Sequence, residues 1–196
     1  MEEKLSRILT EFLISQGIGK SELFQIYMYG FELIISFLFS LSLIILIGIL
    51  MRKIIVTFVF LIIFILLRRF TGGYHAPSFV LCQITTILTY LIVMEASYLF
   101  TINLYEYLIL YIFGSILILK YAPIVNIKKP LSPRKRKKNR INGFCSFSIL
   151  CFIGCVLSTQ ILESTITNAL FFSTCSVVIL MIISILKGGI RNAEKN

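Results

Sequence analysis

The sequence predicts an all-α, polytopic integral membrane protein with about six transmembrane or re-entrant helices behind an amphipathic N-terminal helix. Three observations carry that expectation. Of the 196 residues, 58% are hydrophobic and only 14% are charged, where a soluble domain is nearer a quarter charged. The apolar residues run in long blocks rather than in alternation, as helices in lipid require, because a bilayer has no water for unpaired backbone groups. With six spans, all of the 19 Lys and Arg except Arg52 and Lys53 fall on one side, as the positive-inside bias of membrane proteins requires. That bias also accounts for the net charge of +10, so no nucleic-acid partner is expected.

The chain reads as a single membrane-embedded domain over residues 1–196. Residues 1–27 place Leu5, Ile8, Leu9, Phe12 and Leu13 at helical spacing, with Glu2, Glu3, Lys4, Arg7 and Glu11 mainly opposite. That pattern predicts an amphipathic helix on the membrane surface or packed on its neighbours. The break falls at 16–20, "QGIGK". The acidic residues of this segment do not fit a removable signal peptide.

Six apolar blocks follow: about 31–51, 54–67, 78–100, 104–119, 141–157 and 166–186. The second is short, about 21 Å as a helix against a hydrocarbon core of about 30 Å. It reads as tilted or partly re-entrant. Residues 120–140 read as a basic loop with nine Lys and Arg. By the charge bias, this loop, both termini and the segment after the second block face the cytoplasm. The five cysteines are odd in number and four lie in apolar blocks, so a disulfide framework is not expected. One histidine and no aspartate leave too few ligands for a metal site, and no cofactor is expected.

The polar residues concentrate in "RRFTGGYHAPSFVLC", residues 68–82. A thiolate attacks carbonyl carbon, and an imidazole beside it takes the thiol proton. Any histidine-assisted chemistry here must use His75. In one straight helix His75 and Cys82 would be about 10.5 Å apart along the axis. Gly72 and Gly73 permit backbone angles other residues avoid, and Pro77 starts helices and disfavours helix at Ala76. His75 is therefore expected on a loop folded back over a helix beginning near Pro77, with Cys82 on its second turn. The helix N-terminus, Arg68 and Arg69 would then favour a thiolate. The plainer readings are an interfacial loop histidine, a cysteine serving as a small hydrophobe, and an arginine pair that only sets topology.

The stretch 68–82 resembles the signature of the accessory gene regulator B family: paired basic residues, Gly-Gly, His, and Cys seven residues later. "YAPIVNIKKPLSPRKRKKNR", residues 121–140, resembles the family's Ala-Pro, Lys-Pro and basic-run loop. Size and segment order agree over nearly the whole chain, while the N-terminal helix and last two spans match in character only. The resemblance implies a membrane thiol protease that matures peptide pheromones for quorum sensing. His75 and Cys82 match the catalytic pair, and Arg69 and Gly73 match supporting positions. The family cleaves a short amphipathic precursor on its C-terminal side, holds the product as a Cys thioester, and closes a thiolactone or lactone ring through an internal Cys or Ser. It also suggests a homodimer.

The basic run Arg134, Lys135, Arg136, Lys137 and Lys138 has two readings: an anchor that meets anionic lipid, or a grip on the acidic tail of the precursor. Two rival classes remain. A small peptide transporter or exporter needs no Cys82 and shows polar residues along several spans; a non-catalytic scaffold needs no pair.

Overall fold

A computed structural model describes residues 2–72, 79–124, 132–159 and 164–193. Seven α-helices and one 3-10 turn make up the described chain: α1 Glu2–Ser15, the turn Ser21–Leu23, α2 Phe24–Leu50, α3 Ile54–Thr71, α4 Phe79–Leu99, α5 Leu104–Tyr121, α6 Pro133–Ser158 and α7 Ser164–Ala193. Six are long and apolar enough to cross a membrane, and no strand occurs among the described residues. The all-α, six-span expectation holds.

Of the two alternatives expected for α1, the structure shows packing on a neighbouring helix. Helix α1 buries Ser6 and Thr10 and packs on α2, with each hydroxyl bonded to its own helix: Ser6 Oγ to the Glu3 carbonyl at 3.1 Å and Thr10 Oγ1 to the Ser6 carbonyl at 2.7 Å. Leu5, Ile8 and Phe12 stay exposed, the outward apolar face of an interfacial helix. The break at 16–20 is real, with Gly17 at φ +70°. The amphipathic helix therefore ends at Ser15, not at residue 27.

Helix boundaries differ from the sequence expectation where polar residues meet hydrocarbon. Helix α2 begins at Phe24 rather than residue 31, because Tyr27 and Tyr29 are amphipathic residues of the kind that sit at a bilayer interface without ending a helix. Helix α3 runs on through Arg68 and Arg69 to Thr71. Its 18 residues make about 27 Å, enough to cross. The largest correction concerns the basic loop. Helix α6 starts at Pro133, so "PRKRKKNR" is helical. Proline suits a first helical position, and Arg and Lys are good helix formers. The span below supplies the cooperativity that carries the helix outward.

Helices α3 and α7 form the centre: α7 packs against α3, α4, α5 and α6, and α3 also packs on α6. Phe60, Leu67, Tyr90, Met94, Tyr107, Phe147 and Met181 are fully buried there. The rings of Phe60 and Tyr90 lie 5.3 Å apart, and Thr57 Oγ1 and the Tyr90 hydroxyl are 2.7 Å apart. Helices α5 and α6 meet closely because Gly114 offers its bare backbone to Phe147; a Cβ there would collide with the ring, the small-residue contact that lets membrane helices approach. With six spans, the ends of α3, α5 and α7 and the starts of α2, α4 and α6 share one side.

Candidate functional site

Helix α4 carries Cys82, half-buried, as the fourth residue of its described length. The start of the helix near Pro77, His75 and Gly73 lie outside the described residues, and so does the distance between His75 and Cys82. What the structure describes is the frame on either side of them.

On the α3 side the frame is Arg68. Its guanidinium is near enough to the Cys82 side chain for the two to interact electrostatically, and it also lies over the Phe64 ring, 5.1 Å from the centroid. Arg69 is exposed, its guanidinium 5.7 Å from the Phe70 ring centroid. The sequence reading named both arginines as favouring a thiolate but gave the supporting role to Arg69. The arginine that reaches Cys82 is Arg68. The signal was present in α3: Thr57 and Thr71 are its polar inward residues, both fully buried. At about 100° per residue, Arg68 lies about 60° from Thr71 and Arg69 about 160° away.

On the α2 side the frame is Gln83. Its Nε2 donates to the Ser36 carbonyl at 2.9 Å and meets Ser36 Oγ at 3.1 Å, while its Oε1 accepts from Ser40 Oγ. Gln83 is buried, and a buried amide is costly unless paired. These bonds therefore resist rotation of α4 about its axis and hold the adjacent Cys82 toward α3. Thr86 Oγ1 donates to the Cys82 carbonyl at 2.9 Å.

The third part of the frame joins the two sequence signatures. Gly72 has φ +71° and forms a parallel bridge with Ile124, whose N–H donates to the Thr71 carbonyl at 2.9 Å. A Cβ on Gly72 would run into the Ile124 carbonyl oxygen. Glycine is thus needed twice here, for its backbone angle and for lack of a side chain. Arg140 of α6 donates from Nε to the Ala122 carbonyl at 2.8 Å, and Gly143 of α6 packs on Phe70 and Thr71. The segment after α5 is thereby pinned between the end of α3 and the start of α6. The unusual backbone angle of Gly72 was expected from the sequence and is borne out; its contact with Ile124 and the bond from Arg140 to Ala122 were missed, because contacts between separate segments leave no local periodicity.

Helix geometry divides the basic run. Arg136, Arg140, Gly143 and Phe147 follow one stripe at spacings of four, three and four, and the last three face the protein. Arg134, Lys137 and Lys138 lie on the outward side. All five residues of the run from 134 to 138 are exposed. The remaining cysteines lie in helices: Cys151 is buried, Cys155 and Cys175 half-buried and Cys145 exposed, all as free thiols. No cluster suited to a metal ion occurs among the described residues.

Known proteins show what this arrangement is similar to. The sequence model of a family described as "Accessory gene regulator B" matches residues 6–186. An AgrB-like protein of Clostridium perfringens is 27% identical over 150 residues, covering 73% of this chain and 70% of the relative. An AgrB-like protein of Halalkalibacterium halodurans is 26% identical over 162 residues, covering 82% and 80%. The accessory gene regulator protein B of Staphylococcus intermedius is 29% identical over 94 residues, covering 48% and 50%. No solved structure matches.

Proposed function

This chain belongs to the accessory gene regulator B family, whose proteins process quorum-sensing peptides, and on that premise we propose that it is a membrane cysteine endopeptidase with Cys82 as nucleophile and His75 as base. The observation that carries the proposal is the guanidinium of Arg68 within reach of the Cys82 side chain. A cation there stabilises negative charge on sulfur, the form that attacks and the form that leaves.

The steps follow from that placement. His75 takes the thiol proton and the Cys82 sulfur attacks the scissile carbonyl of the precursor. The amide nitrogen of the C-terminal fragment departs with the proton from His75, leaving the N-terminal part as a thioester on Cys82. A Cys or Ser side chain within the held peptide then gives its proton to His75, neutral again after protonating the amine, and attacks the thioester carbon. The ring closes as the Cys82 sulfur leaves with the bonding pair, beside Arg68. Splitting the reaction this way conserves the acyl energy for cyclisation, provided water is kept out. A site at the edge of the bilayer, between α2, α3 and α4, meets that need.

Gly73 lies in the chain that leads from the pinned end of α3 to His75, and we assign it a supporting role. Arg69 we assign to the charged rim around the site. Of the basic run, Arg136 lies on the stripe whose other members meet Ala122 and the end of α3, and it is the residue we assign to the acidic tail of the precursor. We infer that this side of the protein, with both termini, lies at the cytoplasmic surface, a reading supported by the positive-inside bias of the charges. A homodimer is the assembly the family resemblance suggests.

A transporter reading gains no support from the buried polar residues. Ser97, Ser173 and Thr174 donate to carbonyls of their own helices, at 2.6, 2.6 and 2.8 Å, and so do not line a path.

Co-expression with its precursor, followed by mass spectrometry, tests the proposal. The wild type should release a C-terminal fragment and a peptide lighter by one water than its linear acid; Cys82→Ala and His75→Ala should yield neither while still inserting in the membrane. Cleavage at normal rate in Cys82→Ala would end the cysteine mechanism. For orientation, a cysteine placed at Ser132 in a background without native cysteines should resist an impermeant thiol reagent on intact cells. Ready labelling there would put the site outside.

A further inference from the structure

Two hollows lie one below the other along the outward side of α6. The upper one, about 260 Å³, is lined by Arg134, Lys137, Lys138, Ile141 and Asn142. The lower one, about 350 Å³, lies where α6 meets α5, between Ser148, Cys151, Phe152 and Cys155 on one side and Leu108 and Tyr111 on the other. They share a face: at about 100° per residue, Arg134, Ile141, Ser148 and Phe152 fall within about 40° of one another. The helix rises about 15 Å between Lys138 and Ser148, close to half the hydrocarbon thickness of a bilayer.

The two hollows differ in chemistry. The upper one gathers three exposed cations just above Ile141, where the apolar part of α6 begins. Arg134, Lys137 and Lys138 form no ion pair among the described residues. The lower one is apolar, and the residues along this face point away from the protein: Ile141 is 52%, Ile149 59% and Phe152 70% exposed. A ligand that fills both needs an anionic head at the membrane surface joined to a chain about as long as one leaflet. An acidic peptide would satisfy the upper hollow alone.

We infer that this face of α6 binds an anionic phospholipid of the surrounding bilayer, with its phosphate among Arg134, Lys137 and Lys138 and one acyl chain in the hollow between α5 and α6. Charge complementarity selects an anionic over a zwitterionic lipid. A phosphatidylcholine carries its own cation and would bring that charge against three others, whereas phosphatidylglycerol brings a net negative charge. The binding also divides the labour of the basic run. The outward cations hold lipid, and Arg136 on the inward stripe is left for the peptide.

The chain contains no tryptophan, so Phe152→Trp places a single fluorescent reporter at the lower hollow. The protein is put into nanodiscs of equal parts phosphatidylglycerol and phosphatidylcholine, with bromine on the acyl chains of one lipid or the other. Quenching should be at least about twofold stronger when phosphatidylglycerol carries the bromine, reflecting an interaction of the order of 1 kcal/mol per surface cation. Leu88→Trp, exposed on α4, should be quenched equally by both. Adding Arg134→Gln, Lys137→Gln and Lys138→Gln should bring the reporter at 152 down to that equal level, with quenching by brominated phosphatidylcholine retained. Raising salt from 0.1 to 1 M shortens the screening length from about 10 to about 3 Å, so the preference in the charged protein should fall with no further substitution. Equal quenching by the two lipids at 152 would overturn the inference. So would a preference that survives the three Gln substitutions, or one indifferent to salt. If those substitutions instead weakened precursor processing and left the lipid preference intact, the face would belong to the peptide and the inference would fail.

Discussion

The two ends of the bundle solve the problem of polar groups in opposite ways. At the end away from Cys82 they are paired within the protein. Lys53 Nζ lies 3.4 Å from Glu95 and 4.0 Å from the Tyr98 ring centroid. Asn168 donates to the Ser97 and Phe100 carbonyls at 3.1 and 2.6 Å and accepts from Ile102 N–H at 3.1 Å. The Tyr107 hydroxyl donates to the Thr167 carbonyl at 2.6 Å, and Asn103 with Glu106 forms a capping box at the start of α5. At the Cys82 end, Arg68 is turned toward the Cys82 side chain and the cations of α6 are left exposed. A backbone bridge between Gly72 and Ile124 and the Arg140 side chain on the Ala122 carbonyl hold that end together. One end pairs most of its polar groups internally; the other leaves its cations exposed.

The comparison can be broken most sharply at the nucleophile. Cys82→Ala should lower precursor cleavage by more than about 1000-fold, the scale on which loss of a nucleophile is felt, without changing thermal stability in detergent. Changing Cys145, Cys151, Cys155 and Cys175 together to Ala should leave cleavage measurable, and its loss in stable protein would mean that they do more than pack.

Arg68 comes next. Arg68→Gln should slow turnover roughly 10- to 100-fold, as removal of one preorganised charge partner does, with little change in the precursor concentration at half-maximal rate. Arg69→Gln should cost less than about threefold, since an exposed charge acts through high dielectric. The reverse order, read by initial rates, would return the supporting role to Arg69.

Gly72→Ala and Asn168→Ala separate the ends by kind of effect. At Gly72 a side chain meets both an unfavourable φ, worth about 1–3 kcal/mol, and the Ile124 carbonyl. The joint beside the site should shift, and cleavage should fall further than the melting temperature suggests. Asn168→Ala leaves backbone groups unpaired at about 1–3 kcal/mol each. It should lower the melting temperature while turnover of the folded protein stays near wild type. Parallel losses of rate and stability in both variants would dissolve the distinction between the ends.

The smallest effect is expected at Arg136. Arg136→Gln should raise the half-saturating precursor concentration a few-fold at low salt, the scale of one exposed ion pair. A precursor whose tail lacks its acidic residues should show no difference between the two proteins.

Much of the fold was legible because lipid imposes one rule on every span. Six helices follow from the apolar blocks with little dependence on tertiary contact. The starts of α2 and α6 were not legible, because Tyr27, Tyr29 and the run after Pro133 are as compatible with an interface as with a loop. Cys82 stood out by its setting, and its partner in α3 was recoverable from the inward threonines. The clamp of Gln83 on Ser36 and the joint of Gly72 with Ile124 were not. Each depends on which helices become neighbours, and sequence periodicity reports only which face of a helix turns inward.

The central claim is that the peptide passes through a covalent bond to Cys82. Purified protein in nanodiscs, mixed with precursor and quenched in acid within the first turnover, can be weighed intact and then digested. We expect an added mass equal to the N-terminal part of the precursor, labile to hydroxylamine and located on the fragment containing Cys82, and absent from Cys82→Ala. Cleaved peptide accumulating with no such adduct, or an adduct on Cys145, Cys151, Cys155 or Cys175 instead, would contradict it.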